Sequence, residues 1–352
     1  MPVARNIIIS FDGTWNTPDR NPSADGDAST NVWKLHQAIP DSADGRVQLR
    51  WYETGVGTRW YDKLRGGVFG VGLSRKIQEG YRQLVQLYEE GDQIFIFGFS
   101  RGAYSARSLV GMIRNCGLLL PAHHRRTSEA YSLYRTRDEG ADSENARFFR
   151  RQYSREIPIH FLGVWDTVGA LGIPVQSFNW FNQAFYRFHD TELSGIVRHA
   201  FHAVAVDEHR RNYCATLWDP KQKPNQTIEQ VWFAGAHANV GGGYADNPLS
   251  DLPLRWMAEK ASECGLGIDR QRLPALPADL PNITDSWRHF LGGAYSKVEP
   301  RHYRPIGATS FGQEKIDPSV LARAAQVAEY RPKNPVLDHL ADGPLPGGRI
   351  RP

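Results

Sequence analysis

The chain has 352 residues, 41% of them hydrophobic, with a mean hydropathy of −0.49, which suits a globular protein with a sizeable core. Its 42 basic and 38 acidic residues leave a formal charge of +4. This argues against a dedicated nucleic-acid binder and is compatible with transient contact with an anionic membrane surface. Cys116, Cys214 and Cys264 are odd in number and widely spaced, which points to free thiols rather than a disulfide framework or a zinc site.

Taken in order, the chain first enters Asn6-Ile7-Ile8-Ile9-Ser10-Phe11, a predicted core strand. No secretory h-region or cleavage site precedes it, and no apolar run is long enough to span a bilayer. The expectation is therefore a cytoplasmic protein, with any export by a route that uses no signal peptide. Asp12-Gly13-Thr14-Trp15-Asn16 follows the strand, and then a polar loop to about Ser29. Asn31 to Ile39 is a predicted helix, with Val32, Leu35 and Ile39 on one face. Val47 to Glu53 alternates like a strand, and Gly55 to Gly72 reads as a glycine-rich loop. Leu73 to Glu90 is a predicted amphipathic helix carrying Ile77, Tyr81, Leu84, Val85 and Tyr88 at helical spacing.

The apolar run Ile94 to Phe97 ends in Gly98-Phe99-Ser100-Arg101-Gly102, and helix-forming residues Ala103 to Arg114 follow at once. Strand, G-x-S-x-G and helix are the context of a nucleophile elbow. Two glycines remove side chains that would collide in so tight a turn, leaving Ser100 at its apex beside the helix N-terminus. Helical patterns fill Ser128 to Arg150. Ile157 to Val164 is a predicted strand leading to Trp165-Asp166-Thr167, and His199 to Val206 another, leading to Asp207-Glu208-His209-Arg210-Arg211. Gln230 to Ala234 is the last clear strand, leading to Gly235-Ala236-His237 and a glycine-rich loop; helix Ser250 to Cys264 closes the patterned region. Strands separated by helices predict an α/β fold with a mostly parallel sheet and helices on both faces. Residues 1–333 read as one domain and 334–352 as a Pro/Gly-rich extended tail.

In such sheets ligands bind beyond the carboxyl ends of the strands, where Asp12, Ser100, Asp166, Asp207 and His237 all fall. A serine needs a base, and among the twelve histidines His237 stands where an imidazole could reach the elbow. His160, His199 and His202 lie in or beside strands and read as packed residues, and His123 and His124 belong to a solvated basic turn. Asp166 is the preferred acid to orient the base. Asp207 competes, although its charged run suggests an ion pair. The Arg101 N–H, with a second donor from Gly13 or Thr14, would form the oxyanion hole. The aromatic-rich stretch Phe178 to Phe188, within a candidate lid or cap at residues 170–195, offers Trp180, Phe181 and Phe185 either as an acyl-chain wall or as core. Two other readings stay open: a metal-dependent phosphoesterase using Asp12, Asp166, His237 and Asp251, and a non-catalytic binding module on the same fold.

Several ordered motifs together resemble a known family. They are Phe11-Asp12-Gly13-Thr14-Trp15-Asn16, Gly98-Phe99-Ser100-Arg101-Gly102-Ala103, Gly163-Val164-Trp165-Asp166-Thr167-Val168-Gly169 and Asp207-Glu208-x-Arg210. Val231-Trp232-Phe233-x-Gly235-x-His237, Val240-Gly241-Gly242-Gly243-Tyr244 and Leu249-Ser250-Asp251 complete the set. The chain is similar to the DUF2235 family, which includes the catalytic domain of Tle1-type type VI secretion phospholipase effectors. That resemblance implies an α/β-hydrolase fold and a triad falling on Ser100, Asp166 and His237. It also implies acyl-ester or phospholipid substrates and offers type VI secretion as one export route that needs no signal peptide; a serine mechanism of this kind calls for neither cofactor nor metal. The family pattern His-Ser-Asp is here His237-Ala238-Asn239, which keeps the base and changes its neighbours.

Overall fold

A computed structural model describes residues 5–13, 29–54, 67–136, 140–168, 193–218, 223–245, 248–309 and 314–334. The strands are β1 (Asn6–Phe11), β2 (Ser42–Ala43), β3 (Arg46–Glu53), β4 (Gln93–Phe99), β5 (Leu118–Leu119), β6 (Ser154–Arg155), β7 (Ile159–Trp165), β8 (Val197–Ala205), β9 (Thr227–Phe233) and β10 (Glu314–Ile316). An eight-stranded sheet runs in the order β10-β9-β8-β7-β4-β1-β3-β2. Every neighbouring pair is parallel except β2 with β3. β5 and β6 form a separate antiparallel ribbon.

The helices are α1 (Asn31–Ala38), α2 (Gly67–Leu87), α3 (Arg101–Cys116), α4 (Thr127–Arg135), α5 (Glu144–Tyr153), α6 (His237–Gly241), α7 (Asp251–Glu263), α8 (Ser286–His289), α9 (Tyr295–Val298) and α10 (Pro318–Gln326). The period-two alternation of the central strands assigns side chains to two cores. Ile7, Ile9 and Phe11 of β1 and Ile94 and Ile96 of β4 pack with Tyr81 and Leu84 of α2 and Leu109 and Ile113 of α3. On the other face, Ile8, Phe95, Phe97, Phe161 and Phe201 pack with Val32 and Leu35 of α1 and Leu254 and Met257 of α7. Stacked rings cross this face from strand to strand, Phe95 to Phe161 at 5.7 Å and Phe161 to Phe201 at 5.2 Å. Each such buried side chain contributes on the order of 1.5–3 kcal/mol.

Helices on both faces of a mostly parallel sheet are what the alternation of patterns predicts. Several boundaries differ, two of them at α2. α2 starts at Gly67, inside the expected loop, because glycine only weakens a helix that downstream packing already nucleates. It also ends at Leu87 rather than Glu90, where Asp92 Oδ2 accepts the Glu89 N–H at 2.8 Å and closes a turn. Beyond Gly265 the chain is more ordered than its pattern suggests. β10 extends the sheet by pairing Glu314 to Ile316 with Gln230 to Trp232, and α10 buries Val320 against Val204 and Trp232. A three-residue strand has too few positions to show alternation. Asn334, the first residue expected in the tail, is fully buried.

Candidate active site

Ser100 stands between the end of β4 and the first residue of α3, with φ 58° and ψ −121°. That is a costly conformation for a residue with a Cβ, and the neighbouring backbone enforces it. The Ser100 N–H donates to the Trp165 carbonyl at 3.1 Å, tying the turn to β7. A Cβ on Gly98 would come within 2.6 Å of the Gly102 carbonyl oxygen, and one on Gly102 within 2.2 Å of the Phe11 carbonyl oxygen. The first glycine lets the turn close on itself. The second lets α3 start directly against the end of β1.

Asp166 caps β7 in a left-handed conformation, φ 36°, and its N–H donates to the Ala203 carbonyl at 2.7 Å. His237 opens α6 rather than a loop. Asn239 Oδ1 accepts the Ala236 N–H at 3.0 Å and the Thr284 N–H at 3.1 Å, which fixes this start. The three side chains predicted to meet do so: His237 Nε2 lies 2.8 Å from Ser100 Oγ, and His237 Nδ1 lies 2.5 Å from Asp166 Oδ2. All are buried, Asp166 completely. The imidazole meets two rings, Phe99 tilted at 4.7 Å and Tyr213 edge-on at 5.2 Å.

Burial pushes the His237 pKa below its ordinary value, against the opposing hydrogen bond and charge of Asp166. Burial alone would push the Asp166 carboxyl up. The Arg304 guanidinium and the bond to His237 outweigh it and hold the group well below the usual carboxylate range. A base kept neutral next to an ionised acid is the arrangement general-base chemistry requires.

Two supporting residues escaped the sequence reading. Arg304, 1% exposed, donates from Nη1 to Asp166 Oδ1 at 2.6 Å and from Nη2 to Asp166 Oδ2 at 3.1 Å. It comes from the proline-rich region where no pattern marks it. Glu208, fully buried, accepts the His237 N–H at 3.2 Å and the Ser286 hydroxyl at 3.0 Å, and pairs with Arg210 at 2.7 Å. Its signal lies in the sequence, where Asp207-Glu208-x-Arg210 sets an acid and a base two residues apart. The competitor Asp207 faces elsewhere: it accepts the Gly235 N–H at 2.7 Å and the Tyr330 hydroxyl at 3.0 Å.

Asp12 sits beside the elbow, and burial pushes its carboxyl up to about 6. It accepts from Thr30 Oγ1 at 2.8 Å, from the Tyr52 hydroxyl, and from the Gly13 N–H at 2.6 Å. The Gly13 donor expected to face an oxyanion is thus held by its neighbour's carboxylate. Arg101 begins α3, as the elbow requires. Thr14, Trp180, Phe181 and Phe185 lie outside the described residues. Asp251 pairs with Lys34 at 3.3 Å. Among the described residues no three His, Cys, Asp or Glu side chains are grouped to hold a metal ion. None of the described helices is long and apolar enough to cross a membrane. All three cysteines are free.

A mostly parallel sheet with a serine on a strand–elbow–helix turn is the architecture of the α/β-hydrolase fold. The chain belongs to the family described as the type VI secretion phospholipase effector Tle1-like catalytic domain, which it matches over residues 5–260. It is also similar to an uncharacterized protein of Saccharomyces cerevisiae, 29% identical over 240 residues, covering 61% of this chain and 33% of the yeast protein. The chain therefore spans about a third of that relative's length. Among solved structures, an uncharacterized Pseudomonas aeruginosa protein aligns with TM-score 0.45 and 20% identity, over 77% of this chain and 48% of the other. The Tle1 effector bound to the VgrG spike of the type VI secretion system aligns with TM-score 0.41 and 19% identity, over 70% and 53%. A thermophilic esterase from Thermogutta terrifontis aligns with TM-score 0.38 and 15% identity, over 75% and 83%.

Proposed function

We propose that this protein is a serine carboxylester hydrolase acting on lipid esters, phospholipids among them. The observation that carries the reading is the 2.8 Å approach of His237 Nε2 to Ser100 Oγ, on an imidazole whose other nitrogen meets Asp166. Ser100 Oγ attacks the acyl carbonyl while His237 Nε2 takes its proton. Asp166 holds the imidazole in the tautomer with hydrogen on Nδ1 and stabilises the imidazolium. The tetrahedral oxyanion forms at the N-terminus of α3, where the Arg101 N–H is one donor, and the loop after β1, at Gly13 and Thr14, supplies the other. For Gly13 to serve, its N–H must exchange Asp12 for the oxyanion; otherwise the role falls to Thr14. His237 returns the proton to the leaving alkoxide. It then activates the water that releases the acyl-enzyme.

The lipid half of the proposal rests on the family's description as phospholipase effectors, and export by the type VI route rests on it too. Trp180, Phe181 and Phe185 are the proposed acyl-chain wall. The test is labelling with a fluorophosphonate probe, followed by turnover of p-nitrophenyl esters of graded length beside intact phospholipid vesicles. Ser100 should be the labelled residue, and Ser100→Ala should abolish both labelling and turnover. Persistent labelling of Ser100→Ala would sink the assignment. Trp180→Ala with Phe181→Ala should depress long-chain esters selectively, and a uniform loss at all lengths would remove those residues from the acyl site.

A further inference from the structure

Asp166 is held by a second group besides His237, and that group lies beyond the residues matched to the family. The Arg304 fork grips both carboxylate oxygens, at 2.6 and 3.1 Å. Its remaining Nη hydrogens go to two carbonyls, Ala205 at 2.8 Å and Tyr213. Asn334 Nδ2 in turn donates to the Arg304 carbonyl at 3.0 Å and to the Val206 carbonyl at 3.1 Å, locking the segment to the end of β8. A guanidinium so deeply buried is tolerated only when paired and hydrogen-bonded in this way. Its bidentate geometry fixes the carboxylate plane as well as its charge. The Ala205 N–H, donating to Asp166 Oδ1 at 3.0 Å, adds a neutral contact on the same oxygen.

The charge balance changes accordingly. An isolated Asp–His pair carries −1 at rest and 0 once the imidazole is protonated. With Arg304 attached, those states become 0 and +1, so taking up the proton is less favourable. Among the described residues, the other charged groups acting on His237 are Glu208 and Arg210 from the segment after β8, with the Tyr213 ring at 5.2 Å. Arg101 of α3 and Tyr244 beyond α6 act on Tyr213 and Arg210, and on the Asp166 side stand His202 of β8 and, behind it, Arg107 of α3. Glu208 and Arg210 form their own pair at 2.7 Å and largely offset each other. Arg304 is the cation bound directly to the acid that His237 touches.

We propose that Arg304 is a positioning residue of the active site, which clamps Asp166 and sets the acid limb of the pH–rate profile by disfavouring the protonated Asp166–His237 pair. The inference rests on the hydrolase reading above. It also assigns the segment after residue 260 to the working unit. Removing the cation lets the pair hold its proton to higher pH, whichever of the two groups carries it.

The experiment compares Arg304→Gln, which loses the charge, with Arg304→Lys, which keeps the charge and loses the fork. kcat/KM for a soluble p-nitrophenyl ester is measured from pH 4 to 9. In parallel, the His237 imidazole is titrated by NMR in a Ser100→Ala background, which requires no turnover. Arg304→Gln should raise the acid-limb pKa and the NMR pKa by about one unit, the size expected for a nearby charge. Arg304→Lys should leave both near the wild-type value while lowering kcat. An unmoved pKa in folded Arg304→Gln would overturn the proposal, as would an equal rise in both variants. Should Arg304→Gln fail to fold, Arg304→Lys alone decides, since a one-unit rise there contradicts the charge argument. Failure of the hydrolase reading would look different: wild type would turn over no ester, while the NMR titration would still report on Arg304.

Discussion

The backbone N–H of His237 donates to the side chain of Glu208 at 3.2 Å, so a second carboxylate holds the residue whose ring Asp166 holds. Glu208 is fully buried, and Arg210 answers it through Nη2 at 2.7 Å and Nε at 2.8 Å. Burial alone would raise the Glu208 carboxyl, but Arg210 brings it below the ordinary value. Removing one partner of such a pair strands the other charge. We expect Glu208→Gln to cost about 3 kcal/mol of unfolding free energy by urea titration. Combining it with Arg210→Gln should cost much less than the sum of the two single changes. Additive losses would mean that the two side chains do not act as a pair.

The choice of acid is equally open to test. Asp166 touches His237, whereas Asp207 binds Gly235 and Tyr330. Asp166→Asn should lower kcat by about 10³-fold or more, because an amide favours the wrong imidazole tautomer. Ser100→Ala and His237→Ala should each cost about as much, with the double variant little worse, because the groups act as a unit. Asp207→Asn should act mainly on stability and leave kcat within about tenfold of wild type. A crippling Asp207→Asn beside a mild Asp166→Asn would reverse the assignment.

The elbow was legible because its chemistry is local: apolar strand, glycines at fixed offsets, then helix. The pairing of Ser100 with His237 spans 137 residues, yet each residue follows a strand, and a parallel sheet collects strand ends on one edge. Arg304 was invisible for the opposite reason. It lies in a segment without periodicity, and a buried cation has no local signature until its partner is known. The ion-pair alternative weighed for the Asp207 run did apply, but to Glu208 and Arg210. The expected loop after Gly235 became a helix through a tertiary contact, Asn239 with Thr284.

The glycines of the elbow make a separate claim. Gly102 faces the carbonyl oxygens of Phe11 and Asp12, where a Cβ would stand at 2.2 and 2.7 Å. Backbone cannot yield as a flexible side chain does, so Gly102→Ala must push β1 away from α3. We expect a loss of about 3 kcal/mol in stability, together with loss of activity as the loop carrying Gly13 shifts. Gly140→Ala is the control, since nothing lies within 4 Å of its added Cβ, and it should stay within about 0.5 kcal/mol of wild type. Equal melting temperatures for the two variants would contradict the packing argument.

His202 supplies a pH test that does not depend on catalysis. It is fully buried in β8, its Nε2 accepts the Thr167 N–H at 3.1 Å beside Asp166, and its Nδ1 faces Gln230 Oε1 at 3.4 Å. An Nε2 that accepts carries no proton, so the ring is neutral. Burial, reinforced by Arg107, lowers its pKa to about 3. The unfolded chain binds a proton at this residue once pH falls below about 6.5, whereas the folded protein does not until near the lower value. Stability linked to His202 is therefore lost as pH falls through that window, by about 2 kcal/mol between pH 7 and pH 5. His202→Gln abolishes the linkage while other titrating groups cancel in the comparison. The variant's deficit against wild type, from urea unfolding at the two pH values, should shrink by about 2 kcal/mol at pH 5. A deficit unchanged between pH 7 and pH 5 would mean that His202 takes up its proton in the folded state as readily as in the unfolded one.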